Sequence, residues 1–231
     1  MKLIRRIGRV IWKAALWFLG LSIGMVILYR FVPVPITPLM VIRVMEQSFD
    51  SEKKVRLSKD WEPISNISKN AAQAVIAAED QKFLDHNGFD IEAMEKAWEN
   101  NKKGKRVKGA STITQQTVKN VFLWPSRSYL RKGLEAYFTV LVELIWPKER
   151  IIEVYLNVIE MGDGIYGIEA ASQAYYKRPA LKLTRSQAAM IAAVLPNPRR
   201  WTPTKPTGYI QERQRWILRQ MNNLKPVGFG Q

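Results

Sequence analysis

The sequence holds no cysteine and only one histidine, His86. The first absence excludes disulfides and thiolate metal sites, and it is compatible with an oxidising compartment. The lone histidine reads as a structural turn residue rather than a catalyst or ligand. Acid is missing from the start of the chain: no Asp or Glu precedes Glu46, whereas Lys2, Arg5, Arg6, Arg9, Lys13 and Arg30 all fall within positions 1–30. Alternating strand patterns are scarce, with one short ribbon expected near Val55–Leu57. Internal repeats and low-complexity tracts are absent.

What is present is charge and one apolar run. The 231 residues make a single domain the default. Lys and Arg number 36 against 20 Asp and Glu, and without the six basic residues of positions 1–30 the remainder still carries +10. That balance favours a polyanionic partner: nucleic acid, an anionic membrane surface or a phosphate-bearing substrate. Residues 14–29, AALWFLGLSIGMVILY, carry no charge. Counting from Val10 gives 20 residues with only Lys13 inside, and a lysine so near the end can snorkel. A cleaved signal peptide shares this layout, but the following YRFVPVPITP offers no small-x-small cleavage site. We therefore expect a basic cytoplasmic N-terminus over 1–9, a transmembrane helix over 10–31, a proline-stiffened linker over 32–45 and a domain over 46–231. The positive-inside rule puts the domain on the far side of the membrane. No nucleic acid is expected there, and a membrane-borne phosphate becomes the leading partner.

Beyond the linker the chain reads as mainly α, with many short helices. They are expected over 65–80, 90–105, 131–146, 148–161, 167–176, 184–195 and 209–223. In GASTITQQTVKN, residues 109–120, Thr112 is a good N-cap and Gln115 completes a capping-box pattern. A helix starting there sets Thr112, Gln116 and Lys119 on one face, beside an anion-attracting N-terminus. Downstream, Arg127, Arg131 and Lys132 add cations, and Arg131 is one turn from Glu135. In AAEDQKFLDHNGFD, Glu79 and Asp80 end an Ala-rich helix. The negative end of the helix dipole and partial burial both disfavour ionisation, which suits a carboxyl to acid or base work near neutral pH. Taken singly, each of these residues also reads as ordinary solvated surface.

Together the motifs carry a resemblance. EDxxFxxHxG is met by Glu79, Asp80, Phe83, His86 and Gly88, and GxSTITQQxxKN throughout 109–120. RKxxE is met by Arg131, Lys132 and Glu135, YLNxxxxG by Tyr155, Leu156, Asn157 and Gly162, and LPNPxxW by 195–201. In this order and spacing the chain resembles the glycosyltransferase domain of peptidoglycan polymerases, glycosyltransferase family 51, in its monofunctional bacterial form, over about residues 60–205.

The resemblance implies a lysozyme-like multi-helix domain with a head lobe and a smaller membrane-proximal lobe, preceded by one transmembrane helix. It implies polymerisation of lipid II into glycan strands at the bacterial inner membrane, with the catalytic domain periplasmic. By this likeness Glu79 is the general base, Lys119 and Arg127 hold the donor pyrophosphate, and Glu135 is the second carboxylate. Ser111, Thr112, Gln115 and Gln116 would line the cleft, with Asn120, Arg131 and Lys132 as further contacts. The implied partners are lipid II, the nascent glycan strand, the bilayer and proteins of division or elongation. No cofactor is assigned, although the pyrophosphate could bring Mg²⁺ or Mn²⁺. Two rivals stand beside this reading. A lytic transglycosylase or lysozyme would share the fold, but it needs no cations for pyrophosphate. A silent membrane adaptor would have no use for Glu79 and Glu135. A fused transpeptidase is excluded by length, since Ser51-x-x-Lys54 has no K-T-G partner. Val121–Trp124 and residues 137–146 are apolar enough to serve as core or as lipid contact.

Overall fold

An uncharged run in an apolar setting can satisfy its backbone only within itself, and here it forms one continuous helix, α1 (Lys2–Phe31). The computed structural model describes residues 2–50, 55–102, 110–126 and 128–229. At about 1.5 Å per residue, α1 exceeds the roughly 30 Å hydrocarbon core of a bilayer. Its segment Arg5–Phe31 is long and apolar enough to cross a membrane and stays largely uncovered by the protein, so it fits a single-pass anchor. The end of α1 is nevertheless tied down. Phe18 lies 5.6 Å from the Tyr137 ring, and Ser22 Oγ is 2.7 Å from the Tyr137 hydroxyl. Trp146 Nε1 donates to the Val26 carbonyl at 2.7 Å. Arg150 donates to the Tyr29 carbonyl at 3.0 and 2.9 Å and to Val32 at 2.7 Å. The Arg150 bonds meet carbonyls at the helix end that would otherwise be left to water.

Helix α2 (Pro38–Ser48), capped by Thr37, begins inside the stretch expected to be linker, so only 32–37 lack regular structure there. The remaining helices sort into two packed groups. In the first, α3 (Lys69–Glu79) meets α9 (Arg185–Val194), and α10 (Gly208–Asn223) covers both. Alanines fill the α3–α9 seam, with Ala71, Ala74, Ala77, Ala189, Ala192 and Ala193 at most 1% exposed, which lets the two backbones approach closely. In the second, α5 (Ile113–Phe122) lies between α6 (Tyr129–Ile145) and α7 (Lys148–Val158), and α1 rests on α6. Helix α4 (Ile91–Lys102) buries no residue, and α8 (Ile168–Tyr176) follows the sheet. The chain is mainly helical, as expected, and fits a lysozyme-like multi-helix fold.

Two local expectations are corrected. The ribbon foreseen at Val55–Leu57 is a short strand one step later, β1 (Ser58–Lys59), parallel to β3 (Ile165–Tyr166). The helix foreseen over 148–161 stops at Val158, because Ile159 turns extended and β2 (Glu160–Gly162) pairs antiparallel with β3. The hairpin closes on Gly164 at φ +68°, where a Cβ would stand 2.4 Å from the Arg56 carbonyl, so only glycine fits.

Candidate active site

Two adjacent carboxylates at the end of α3 border the same cleft but have different partners. Asp80 leaves the helix with φ −160° and ψ 79°, which swings its side chain inward. There it meets His86 Nε2 at 2.9 Å and accepts from the Ile113 backbone N–H at 2.9 Å. The Gly88 N–H donates to His86 Nδ1 at 3.1 Å, which leaves the His86 proton on Nε2, facing Asp80. Thr112 Oγ1 donates to the Gly88 carbonyl at 2.7 Å, closing the knot between the 81–88 turn and the start of α5. Gly88 sits at φ +86°, and a Cβ on it would approach Thr139 Cγ2 to 2.6 Å. His86 is thus the structural turn residue the sequence suggested.

Glu79 points outward into a cleft of about 610 Å³. Gln116 Nε2 donates to its Oε2 at 3.1 Å, and Arg213 Nη2 reaches its Oε1 at 3.3 Å. Its side chain is 16% exposed, against 2% for Asp80. Ser111, Thr112 and Gln116 line this cleft with Tyr209, Arg213 and Trp216.

The expected capping box is present: Thr112 Oγ1 accepts from the Gln115 N–H at 3.2 Å, and Gln115 Oε1 accepts from the Thr112 N–H at 3.1 Å. This reciprocity has a consequence for the expected lining. Gln115 is spent on the helix start and buried, and it does not line the cleft. Asn120 is also buried and donates to the Gln116 carbonyl at 2.8 Å. Tyr155 donates its hydroxyl to Gln116 Oε1 at 3.3 Å, which orients the Gln116 amide with its NH₂ toward Glu79. Burial, reinforced by the charges of Glu79 and Asp80, pushes the Tyr155 phenol well up, so it remains a donor.

A second charged group lies on the first turns of α6. Ser128 caps this helix by accepting from the Arg131 N–H at 3.2 Å. Arg131 Nη1 donates to Glu135 Oε2 at 2.5 Å, Lys132 Nζ donates to Glu135 Oε1, and Arg131 Nε donates to the Ser126 carbonyl at 2.6 Å. Glu135 is 3% exposed, so both its oxygens are committed to these cations inside the protein. Lys119, exposed on α5, has no ion pair among the described residues. Protein crowded round its ammonium lowers its pKa; Glu135 pulls the other way, and Arg131 and Lys132 push it down further. Arg127 lies outside the described residues.

The structure thus brings Glu79, Ser111, Thr112 and Gln116 together, and separately groups Lys119, Arg131, Lys132 and Glu135. Helix α5 joins the two groups. Gln116 touches Glu79, and Lys119 follows three residues later on the same face, about 4.5 Å along the axis. Sequence reasoning missed Arg213, Tyr209, Trp216 and Tyr155 as site residues. Arg213 is 134 residues from the carboxylate it meets, so no local pattern could point to it. Tyr155 was visible only as a letter of the YLN motif. Among the described residues no three His, Cys, Asp or Glu gather as a metal-ligand cluster.

Residues 46–222 match the model of a family described as Transglycosylase. A biosynthetic peptidoglycan transglycosylase of Bdellovibrio bacteriovorus is 59% identical over 209 residues, which covers 90% of this chain and 83% of that protein. One of Pseudomonas syringae pv. syringae is 50% identical over 222 residues, 96% of this chain and 94% of that protein. One of Pseudomonas putida strain GB-1 is 51% identical over 222 residues, 96% and 92% of the two chains.

Proposed function

The chain belongs to the transglycosylase family, and from that premise we propose that Glu79 and the Lys119 cluster are the two poles of a peptidoglycan glycosyltransferase. The enzyme polymerises peptidoglycan, elongating glycan strands from lipid II. The observation that carries the assignment of roles is the division of labour at the end of α3. Both border the cleft, but Asp80 is buried and consumed by His86 and Ile113, while Glu79 stays partly exposed there and is held only by Gln116 and Arg213.

In this reading the 4-hydroxyl of the acceptor GlcNAc lies against Glu79 Oε1 or Oε2. The hydroxyl oxygen attacks the anomeric carbon of the lipid-linked donor chain, and the bond from that carbon to the pyrophosphate oxygen breaks. The hydroxyl proton passes to Glu79, and the electron pair leaves with the undecaprenyl pyrophosphate. Displacement inverts the anomeric centre, so base and leaving group lie on opposite sides of the sugar. Lys119 receives the negative charge developing on the pyrophosphate. Fixed cations in a partly dry cleft stabilise such charge more than reorganising water does. Glu135 orders Arg131 and Lys132 beside Lys119, and Arg127 belongs to the same pole by its motif. Gln116, aimed by Tyr155, steadies Glu79. The groups at the leaving-group pole are mostly cations and do not ligate Mg²⁺ or Mn²⁺. A divalent ion would arrive with the substrate, and no step here passes through one.

We place the domain on the periplasmic face of the bacterial inner membrane, anchored by α1 with its basic end in the cytoplasm. The chain then divides as basic tail 1–9, membrane helix 10–31, connection 32–45 and catalytic domain 46–231. Proteins of division or elongation would meet it there. The test is incubation of the detergent-solubilised full chain with labelled lipid II. Long glycan strands are expected. Intact lipid II together with cutting of preformed glycan would transfer the chain to the lytic class, and no change in either substrate would favour an adaptor.

A further inference from the structure

The reaction just described uses one wall of Glu79's cleft. The opposite wall is α10, and it carries a feature that the two poles leave unexplained. A second hollow of about 550 Å³ runs along this helix, lined by Tyr209, Glu212, Arg213, Arg215, Trp216 and Arg219. Tyr209, Arg213 and Trp216 also line the Glu79 cleft, so the two spaces adjoin. Three arginines face a single acid here. Arg215 and Arg219 are exposed, one turn apart, and have no ion pair or hydrogen bond among the described residues. Arg213 meets Glu79 through Nη2 only, and its buried Nε has no partner. Two aromatic residues, Tyr209 and Trp216, share the lining with these cations. Unpaired guanidinium forks beside aromatic faces suit planar anionic groups on a partly apolar chain.

We infer that the α10 groove binds the carboxylates of the peptide carried by the incoming sugar. This rests on the polymerase reading for the identity of the sugar, since peptidoglycan precursors carry a peptide. The rival anion is the substrate's own pyrophosphate. It is tied to the bilayer by its lipid, whereas α10 packs on α3 and α9, in the helix group that does not carry the anchor α1. The peptide is the anion free to extend that far. Arg215 and Arg219 then contribute to acceptor recognition, and the groove selects for substrates that keep their peptide carboxylates ionised.

The test uses the full-length protein and a fluorescent disaccharide-peptide lacking both lipid and phosphate. Its binding is followed by anisotropy beside a version whose peptide carboxylates are amidated. Wild-type protein is expected to bind the carboxylate form at least fivefold more tightly, and Arg215→Gln/Arg219→Gln to lose most of that preference. Both positions are exposed, so the pair should fold normally, which circular dichroism checks. Equal binding of both probes, or an unchanged preference in the variant, overturns the inference. If lipid II with amidated peptides loses as much kcat/KM in the variant as ordinary lipid II, the arginines serve pyrophosphate and the inference again fails. Because anisotropy needs no turnover, failure of the groove is distinguishable from failure of the polymerase reading, which would show as wild-type protein making no glycan from any lipid II.

Discussion

Glu79 and Glu135 are the same side chain in opposite circumstances. Glu79 has two long, single contacts from side chains on other helices and a cleft in front of it. Glu135 is buried, with both oxygens held by cations three and four residues upstream on its own helix. A loosely held carboxylate at a cavity can accept a proton and release it. A carboxylate locked between Arg131 and Lys132 can do neither without breaking its ion pairs, but it fixes two cations in place. The comparison separates a reacting group from an ordering group without recourse to motif letters, and it can be broken at several points.

The largest contrast is expected between the two amide variants. Glu79→Gln should lower lipid II turnover by at least about 10³-fold, within the range that a general base contributes. Its stability should change by under about 1 kcal/mol, because the amide oxygen can still accept from Gln116 or Arg213. Glu135→Gln should instead lower both: breaking a largely buried ion pair costs roughly 3 kcal/mol, read as a drop in the urea midpoint. Equal stability loss in the two variants would erase the distinction.

A smaller effect sharpens the neighbouring comparison, Glu79 against Asp80. Asp80→Asn should destabilise the fold by about 1–3 kcal/mol, since it weakens the bonds to His86 and to the first N–H of α5. Turnover per folded molecule should fall less than in Glu79→Gln. Thermal melting and active-site titration on one preparation decide this.

The smallest effect concerns pH. Protein crowded round its ammonium lowers the pKa of Lys119, so its charge is lost, as pH rises, before an ordinary lysine would lose it. The alkaline limb of turnover should therefore begin below the usual lysine range, and Lys119→Arg should carry it to higher pH. A limb unmoved by that substitution would assign it to another group.

The parts of this arrangement legible in the sequence are those whose cause is local. The capping box of α5 follows from Thr112 and Gln115 alone, and the helix stop at Glu79 was visible from the turn residues after it. The same box turns Gln115 away from the cleft, a consequence that follows from the pattern itself. The early end of α7 is also local in origin: Asp163-Gly164 is a hairpin signal, and it competes with the helix pattern running up to Gly162. Arg213 and the α10 groove were illegible because their meaning lies in contacts between helices far apart in sequence, which amphipathic spacing does not encode. The inward turn of Asp80 depended on the backbone angles of that one residue, and EDxxF looks the same whichever carboxylate is buried.

The most direct test is single turnover of bound lipid II by Glu79→Gln, with binding measured on the same sample. The account predicts lipid II bound about as tightly as by the wild-type chain and essentially no glycan formed. Wild-type transfer rates in that variant would contradict it, and the base would have to be sought elsewhere in the cleft.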